Sequence, residues 1–480
     1  MSEIYQCAAL TLAATVSLSD SEGCYSEEMR PSHIEIPTPE NSADRPQLAL
    51  RKVLDHWDRL AANQIPREFP LLSRAWAFQE RLLSRRILHF CTSELVWECR
   101  ELTECECGFI IETTSPCGQY FNIVKSSENA RQEAIDLQGE LDLLFAQQLL
   151  ETEEAEERDH SGKSTETERV QGVNKIEEFK ADEDTKDEDW SGHRYDNLEE
   201  PISRFGVDAP LNHLERRIGI NDVEHFHRLL EQYTRLRLTR PSDRLPALSG
   251  LCRRVQGLRG EYCAGLWYNS IAFDLMWRVN TIDSDAGNAG RPLQYRGPSW
   301  SWVSVESAVT YWPDTGDLYY RPDGFRIEAS VDVVGKNPFG EIRSALLTIE
   351  SSSAPAILEY TYDADWHLQT GALKSTLYTL KVRFSAHLGG DDFFVEVPFF
   401  VDYALAADER HQIGKTETVE ALLLHPQVAL ILRRKDSEIL PADHDTLWQR
   451  IGIARLSDTM VNEYNMDWRS SATFGKYNIV

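Results

Sequence analysis

The sequence is short of basic residues, of cysteine and of long apolar runs, and each shortage removes a class of function. Against 78 aspartates and glutamates stand only 50 lysines and arginines, a formal net charge of −28. Such a surface repels a phosphate backbone, and no basic cluster offsets it, so nucleic-acid binding is not expected. Nine cysteines in 480 residues are too few, and odd in number, for a secreted disulfide scaffold. No window approaches the roughly 20 apolar residues of a membrane span. The start, Met1-Ser2-Glu3-Ile4-Tyr5, has no basic leader, and the apolar stretch Cys7–Leu18 is short and rich in Ala and Thr. It reads as a buried strand or helix and not as a signal peptide. Also missing are GxxxxGK[ST], GxGxxG, HExxH and GxSxG, and with them the P-loop NTPase, dinucleotide-binding, zincin and α/β-hydrolase signatures. The expectation is a soluble cytoplasmic chain with reduced thiols and no cofactor.

What is present is core-forming material. Hydrophobic residues make up 41% and aromatics 10%, with twelve Trp, enough for about two or three folded domains. Leu50, Val53, Leu54, Trp57 and Leu60 recur at helical spacing, which predicts an amphipathic helix over 48–62. Pro70 opens a second helix over 71–84. Arg86–Phe90 and Glu94–Cys99 read as strands of a hairpin. Residues 1–125 are thus expected to form one α/β piece. Residues 126–205 differ: between 151 and 200 there are 19 acidic and 7 basic residues. This predicts an acidic, largely disordered linker or insertion. Helical periodicity returns over 206–295, with stripes through Val223, Phe226, Leu230 and Tyr233 and through Leu245, Leu248, Leu251, Cys252 and Val255, and a third helix over Leu266–Val279. Over 296–480, Phe325–Val334, Ala345–Glu350, Leu377–Phe384, Phe393–Val401, Glu420–Leu424 and Val428–Arg433 alternate with turn residues. They predict an antiparallel sheet or sandwich packed on the helices. The fold class is α+β.

Few side chains are arranged for chemistry. Cys99, Cys105, Cys107 and Cys117 lack a paired C-x-x-C. His89 and Cys91 lie close enough to complete a ligand set, but free thiols without metal are the expectation. His225 and His227, two apart on a helix, point to different faces and cannot chelate one ion. Asp443-His444-Asp445 reads as a turn. Ser242 and Asp243 after Pro241 read as a helix N-cap. Trp300 and Trp302 have strand spacing, which predicts that both fill the core from one side.

Four stretches together resemble the fungal heterokaryon-incompatibility (HET) domain family. Ile4-Tyr5-Gln6-Cys7-Ala8, continuing to Thr15, is similar to the family's IYxxAxxTIAA stretch. Arg74, Trp76, Gln79 and Glu80 match RxWxxQE. The segment Pro241–Leu248 (PSDRLPAL) and the segment Pro298–Trp302 (PSWSW) resemble the region that follows the domain. The resemblance covers roughly 1–125 and 220–310. It implies a partial, TIR-like α/β piece and a role in fungal non-self recognition with programmed cell death, exercised through protein partners or self-association. Two family motifs, LSYxWG and WIDxxCIxQ, have no counterpart before Ile4. The expectation is an N-terminally truncated domain whose sheet has an unpaired edge. Relatedness to TIR domains implies a rival, an NAD or nucleotide hydrolase using Glu80 with Arg74 at a pocket rim. The residues themselves favour a structural role for Arg74, Trp76, Gln79 and Glu80, and an inactive interaction remnant is a third reading.

Overall fold

The computed structural model describes residues 2–19, 21–24, 33–35, 49–51, 54, 56, 57, 65–110, 115–125, 132, 211–280, 291, 292, 294–314, 322, 324–362, 376–384, 393–403, 405, 416–435, 446–457, 460 and 472–480. The chain divides into two compact units, residues 1–127 with 220–480, and residues 128–219. The acidic stretch 151–200 and the turn at Asp443–Asp445 lie outside the described residues.

In the larger unit, α1 (Ser2–Cys7) leads to β1 (Thr11–Ala13), and β2 (His33–Glu35) pairs antiparallel with β3 (Ala49–Arg51). After α2 (Ile65–Glu68), a 3-10 turn at Pro70–Ser73 feeds α3 (Ala75–Leu83). Then β4 (Arg86–Phe90), β5 (Leu95–Cys99) and β6 (Thr103–Cys105) complete a four-stranded sheet of order β1-β4-β5-β6. The β4–β5 hairpin is as the sequence predicts. The pairing of β1 with β4 is parallel, the rest antiparallel. β1 is the outer strand among those described, and its surroundings are not buried: Ile4, Leu10, Leu12 and Leu18 are 68%, 43%, 59% and 75% exposed. The expectation that Cys7–Leu18 is buried therefore fails. The helix expected over 48–62 fails as well at its start, where Leu50 faces Ile34 across a strand pair. Long-range pairing overrides local periodicity there.

A helix over 116–125 (α4) is followed by α5 (Leu211–Thr234) and α6 (Ser249–Arg259). The expected third helix over Leu266–Val279 is instead four short pieces. β7 (Tyr262–Cys263) and β8 (Leu266–Trp267) form a hairpin, α7 (Ile271–Asp274) is one turn, and β9 (Arg278–Val279) pairs with β10 (Val309–Thr310). The hairpin turn explains the difference. Ala264 and Gly265 both have positive φ, 49° and 101°, as a type I′ turn requires, and a helix cannot run through them.

The C-terminal part is one sheet. Its strands are β11 (Arg326–Val333), β12 (Ile342–Tyr362), β13 (Thr376–Phe384), β14 (Phe393–Val397), β15 (Phe399–Val401), β16 (Thr416–His425), β17 (Val428–Arg434), β18 (Leu447–Arg455) and β19 (Thr473–Ile479). The path β14-β13-β12-β16-β17-β18-β15 begins and ends on two strands separated in sequence only by Pro398. The sheet therefore curls until its ends meet, and neither a flat sheet nor a sandwich results. Pro398, which has no N–H to give a ladder, sits at the corner. All pairings are antiparallel except β18 with β19.

Curling creates an inside and an outside, and both are buried. Ala356, Leu358, Leu380, Val382, Leu423 and Ile431 fill the inside. Leu422, Leu424, Leu430 and Leu432, from the opposite face of the same strands, join a larger core with the helices. Strands apolar on both faces read as continuous runs, which is why Ala421–Leu424 and Val428–Leu432 show no alternation. That larger core draws on Leu82 and Tyr120, on Phe226 and Leu251, and on Trp300 and Ile453, so it joins the stretches 1–125, 206–295 and 296–480. Trp267, Trp277, Trp300 and Trp302 are fully buried within it.

Candidate functional site

Helix α3 presents Ala75, Gln79, Leu82 and Leu83 inward, a stripe at i, i+4, i+7 and i+8. Gln79 is the one polar member, and its partner explains it. Its Oε1 accepts the N–H of Gly250 at 2.5 Å, one of the N–H groups that the first turn of α6 leaves without a helical acceptor. A Cβ at position 250 would stand 2.6 Å from that oxygen, so the close approach needs glycine. Trp76 donates its Nε1–H to Asp243 Oδ2 at 3.0 Å. Asp243 is thus an acceptor for Trp76 and not a helix cap. The 3-10 turn Pro241–Arg244 is preceded by Arg240, without a side-chain capping bond. Ala75 N–H donates to Arg237 O, and Arg237 N–H to Ser73 O, which ties the start of α3 to the chain before Pro241.

Glu80 lies on the partly exposed side of α3. Burial raises its carboxyl above the ordinary range, against a hydrogen bond from Tyr5 and the charge of Arg74, both of which lower it. Arg74 is exposed and lines an open groove of about 550 Å³ with Leu18, Ser19, Ser73, Arg237, Leu238 and Thr239. Glu80 is not among the lining residues.

The PSWSW segment also serves the fold. Pro298 is buried and its carbonyl accepts Ser301 N–H. Ser301 Oγ donates to Ala264 O, and Trp302 Nε1–H donates to Gly265 O, so both carbonyls of the positive-φ turn are satisfied from this one segment. Trp277 donates to Trp300 O. Trp300 and Trp302 are buried as predicted, but not from a strand: Trp302 opens a 3-10 turn, Trp302–Ser304.

Two buried polar clusters carry residue types used in catalysis. In the first, Asp274 accepts from Trp267 N–H and Ser270 Oγ and pairs with His227 Nε2 at 2.8 Å. His227 stacks on Tyr311 with ring centroids 3.6 Å apart. Ser270 points at the carboxylate and not at the imidazole, and all three side chains are buried, so no nucleophile is activated or reachable. In the second, Glu98 Oε2 takes Arg81 Nε–H at 2.7 Å and His89 Nε2 at 2.9 Å, while His89 Nδ1 meets Thr15 Oγ1 at 2.9 Å. Burial alone would raise the Glu98 carboxyl, but the Arg81 guanidinium and His89 overcome it and hold it at about 2.

The cysteines separate. Cys117 rests against Ser115 Oγ, and Cys99 lends its carbonyl to that same hydroxyl. Cys105 and Cys107 instead turn toward His56 and Glu94, and these four side chains place their ligand atoms within 4.8 Å of one another. The set of Cys99, Cys105, Cys107 and Cys117 with His89 and Cys91 is therefore not the one that the fold gathers. His56 and Glu94 escaped sequence reasoning because no spacing rule links them to a C-x-C nearly 50 residues beyond His56; the C-x-C itself was the available signal. Comparison with protein-family models, with curated proteins and with solved structures finds no match.

Proposed function

We propose that this chain is a cytoplasmic protein of the heterokaryon-incompatibility class. It acts in fungal non-self recognition and the cell death that follows, through a protein partner or a second copy of itself, and not as an enzyme. The observation that carries this reading is the meeting of two motif-bearing stretches far apart in sequence: Trp76 bonds Asp243, and Gln79 bonds Gly250. The motif side chains hold the fold, which leaves recognition to surfaces. The apolar rim of β1, with Ile4, Leu10, Leu12 and Leu18, supplies one. The parallel β1–β4 pair, with α3 between its strands in sequence, agrees in kind with the α/β piece that the resemblance implies. Among the described residues no helix is long and apolar enough to cross a membrane. Glu80 gives the hydrolase reading less support, since Tyr5 and Arg74 already engage it and it does not line the groove.

Inducible expression of the full chain in a filamentous fungal host is expected to arrest growth. Leu12→Lys, at the exposed rim, is expected to relieve the arrest at equal protein level. Normal growth at high levels of the unaltered chain would overturn the proposal in favour of an inactive interaction remnant. NAD loss on incubation with the pure chain, abolished by Glu80→Gln, would overturn it in favour of a hydrolase.

A further inference from the structure

Two thiols, an imidazole and a carboxylate converge under the β5–β6 hairpin. Val96 on β5 stands opposite Cys105 on β6, which brings the residue just before β5, Glu94, beside the chain that leaves β6. Cys107 N–H donates to Glu94 Oε2 at 3.0 Å. The Sγ atoms of Cys105 and Cys107 are 3.1 Å apart, and Cys107 Sγ is 3.4 Å from His56 Nε2 and 3.7 Å from Glu94 Oε1. His56 and Glu94 are both buried, and their facing atoms are 2.5 Å apart.

Hydrogen bonding explains half of this arrangement. His56 and Glu94 make a sufficient pair by themselves, and two weak thiol donors add little to it. A bound cation explains all four. A tetrahedral zinc ion with bonds of about 2.3 Å to sulfur and about 2.0–2.2 Å to nitrogen and oxygen keeps its ligand atoms about 3.3–3.8 Å apart. The sulfur-to-imidazole and sulfur-to-carboxylate separations lie in that range, while the Cys105–Cys107 sulfurs at 3.1 Å and the His56–Glu94 contact at 2.5 Å each have to open by about 0.7–0.8 Å to admit the ion. We propose that His56, Glu94, Cys105 and Cys107 form a structural zinc site. The donor set is too soft for calcium or magnesium, and four protein ligands leave no open position for a substrate. Ile110 N–H already points at Cys105 Sγ at 3.4 Å, the kind of outer contact that steadies a thiolate ligand.

The location gives the ion something to do. Trp57, Phe69, Cys91, Val96 and Ile110 form a small hydrophobic cluster distinct from the two large ones. Clusters of that size are commonly held by a staple, and metal ligation contributes directly to folding where no large core does. Zinc would fasten His56, and with it Trp57, to the open end of the β5–β6 hairpin, opposite its turn.

The test uses the full chain, without a histidine tag, purified under reducing conditions. Elemental analysis is expected to give one zinc per chain. Replacement by Co2+ is expected to give the visible bands of a tetrahedral site together with a thiolate charge-transfer band. Cys105→Ser with Cys107→Ser is expected to reduce the metal content from one to none, and Cys99→Ser to leave it at one. Because the double variant could fail to fold, alkylation of the unaltered chain gives an independent reading: Cys105 and Cys107 should be protected until a chelator is added. The proposal is overturned if the reduced chain takes up neither zinc nor Co2+, if the cobalt spectrum lacks the thiolate band, or if alkylation of these two thiols does not respond to chelator.

Discussion

Among the described residues, Arg450 is bonded from every direction. It is fully buried, donates to both oxygens of Asp402, and reaches the carbonyls of Leu275 and Trp277 with its guanidinium stacked 3.6 Å over the Trp277 ring. A buried ion pair adds little when compared with apolar residues of equal volume, but removing one partner leaves an uncompensated charge. Arg450→Met is therefore expected to cost about 3–5 kcal/mol. Most of that loss should be recovered in Arg450→Met with Asp402→Leu. Urea denaturation of both single variants and the double variant measures the coupling, and simple additivity would refute it. At this scale the sequence was informative only where a residue type has one common fate. The burial of Trp300 and Trp302 was legible from their chemistry. Neither Arg450 with Asp402 nor His56 with Glu94 was, because each pair is assembled by chain crossings about 40–50 residues apart.

At the scale of elements, the β4–β5 hairpin carries a pH dependence. Glu98 titrates at about 2 in the folded chain against an ordinary 4.5, so its contribution is complete above about 4.5 and is lost as pH falls through about 2. Its size is on the order of 3 kcal/mol. Burial also lowers His89 below its ordinary 6.5, a term present above that value and lost on acidification. Both terms have the same sign, so the stability that this network contributes should fall as pH drops below 6.5, read as the difference in melting temperature between the unaltered chain and Glu98→Gln. Glu98→Gln should flatten the part of the curve below pH 4.5, and an unchanged slope there would count against the network. Strands with cross-strand alternation or strong apolar runs were readable, β11, β13, β16 and β17 among them. β18 and β19 were missed, as glycine and charged residues interrupt their runs. The stretches 49–51 and 266–279 misled because apolar spacing near 3.6 residues also arises by chance where strands and turns are set by distant partners.

Across the larger unit, the helices, the curled sheet and the motif segments share cores, and no local pattern in the sequence announced that closure. Its seam is tight. Gly452 on β18 lies opposite Val401 on β15, and a Cβ there would stand 2.5 Å from the Phe400 carbonyl oxygen, a backbone atom that cannot turn aside. Gly452→Ala is expected to cost on the order of 3 kcal/mol, measured as a lower urea midpoint. No change in the midpoint would mean that β15 does not lie against β18 as described. The single-residue link at Pro398 has a mechanical corollary. A hoop riveted where its first and last staves are neighbours along the same thread cannot be peeled from either side, so it should resist pulling or slow digestion until it gives way all at once.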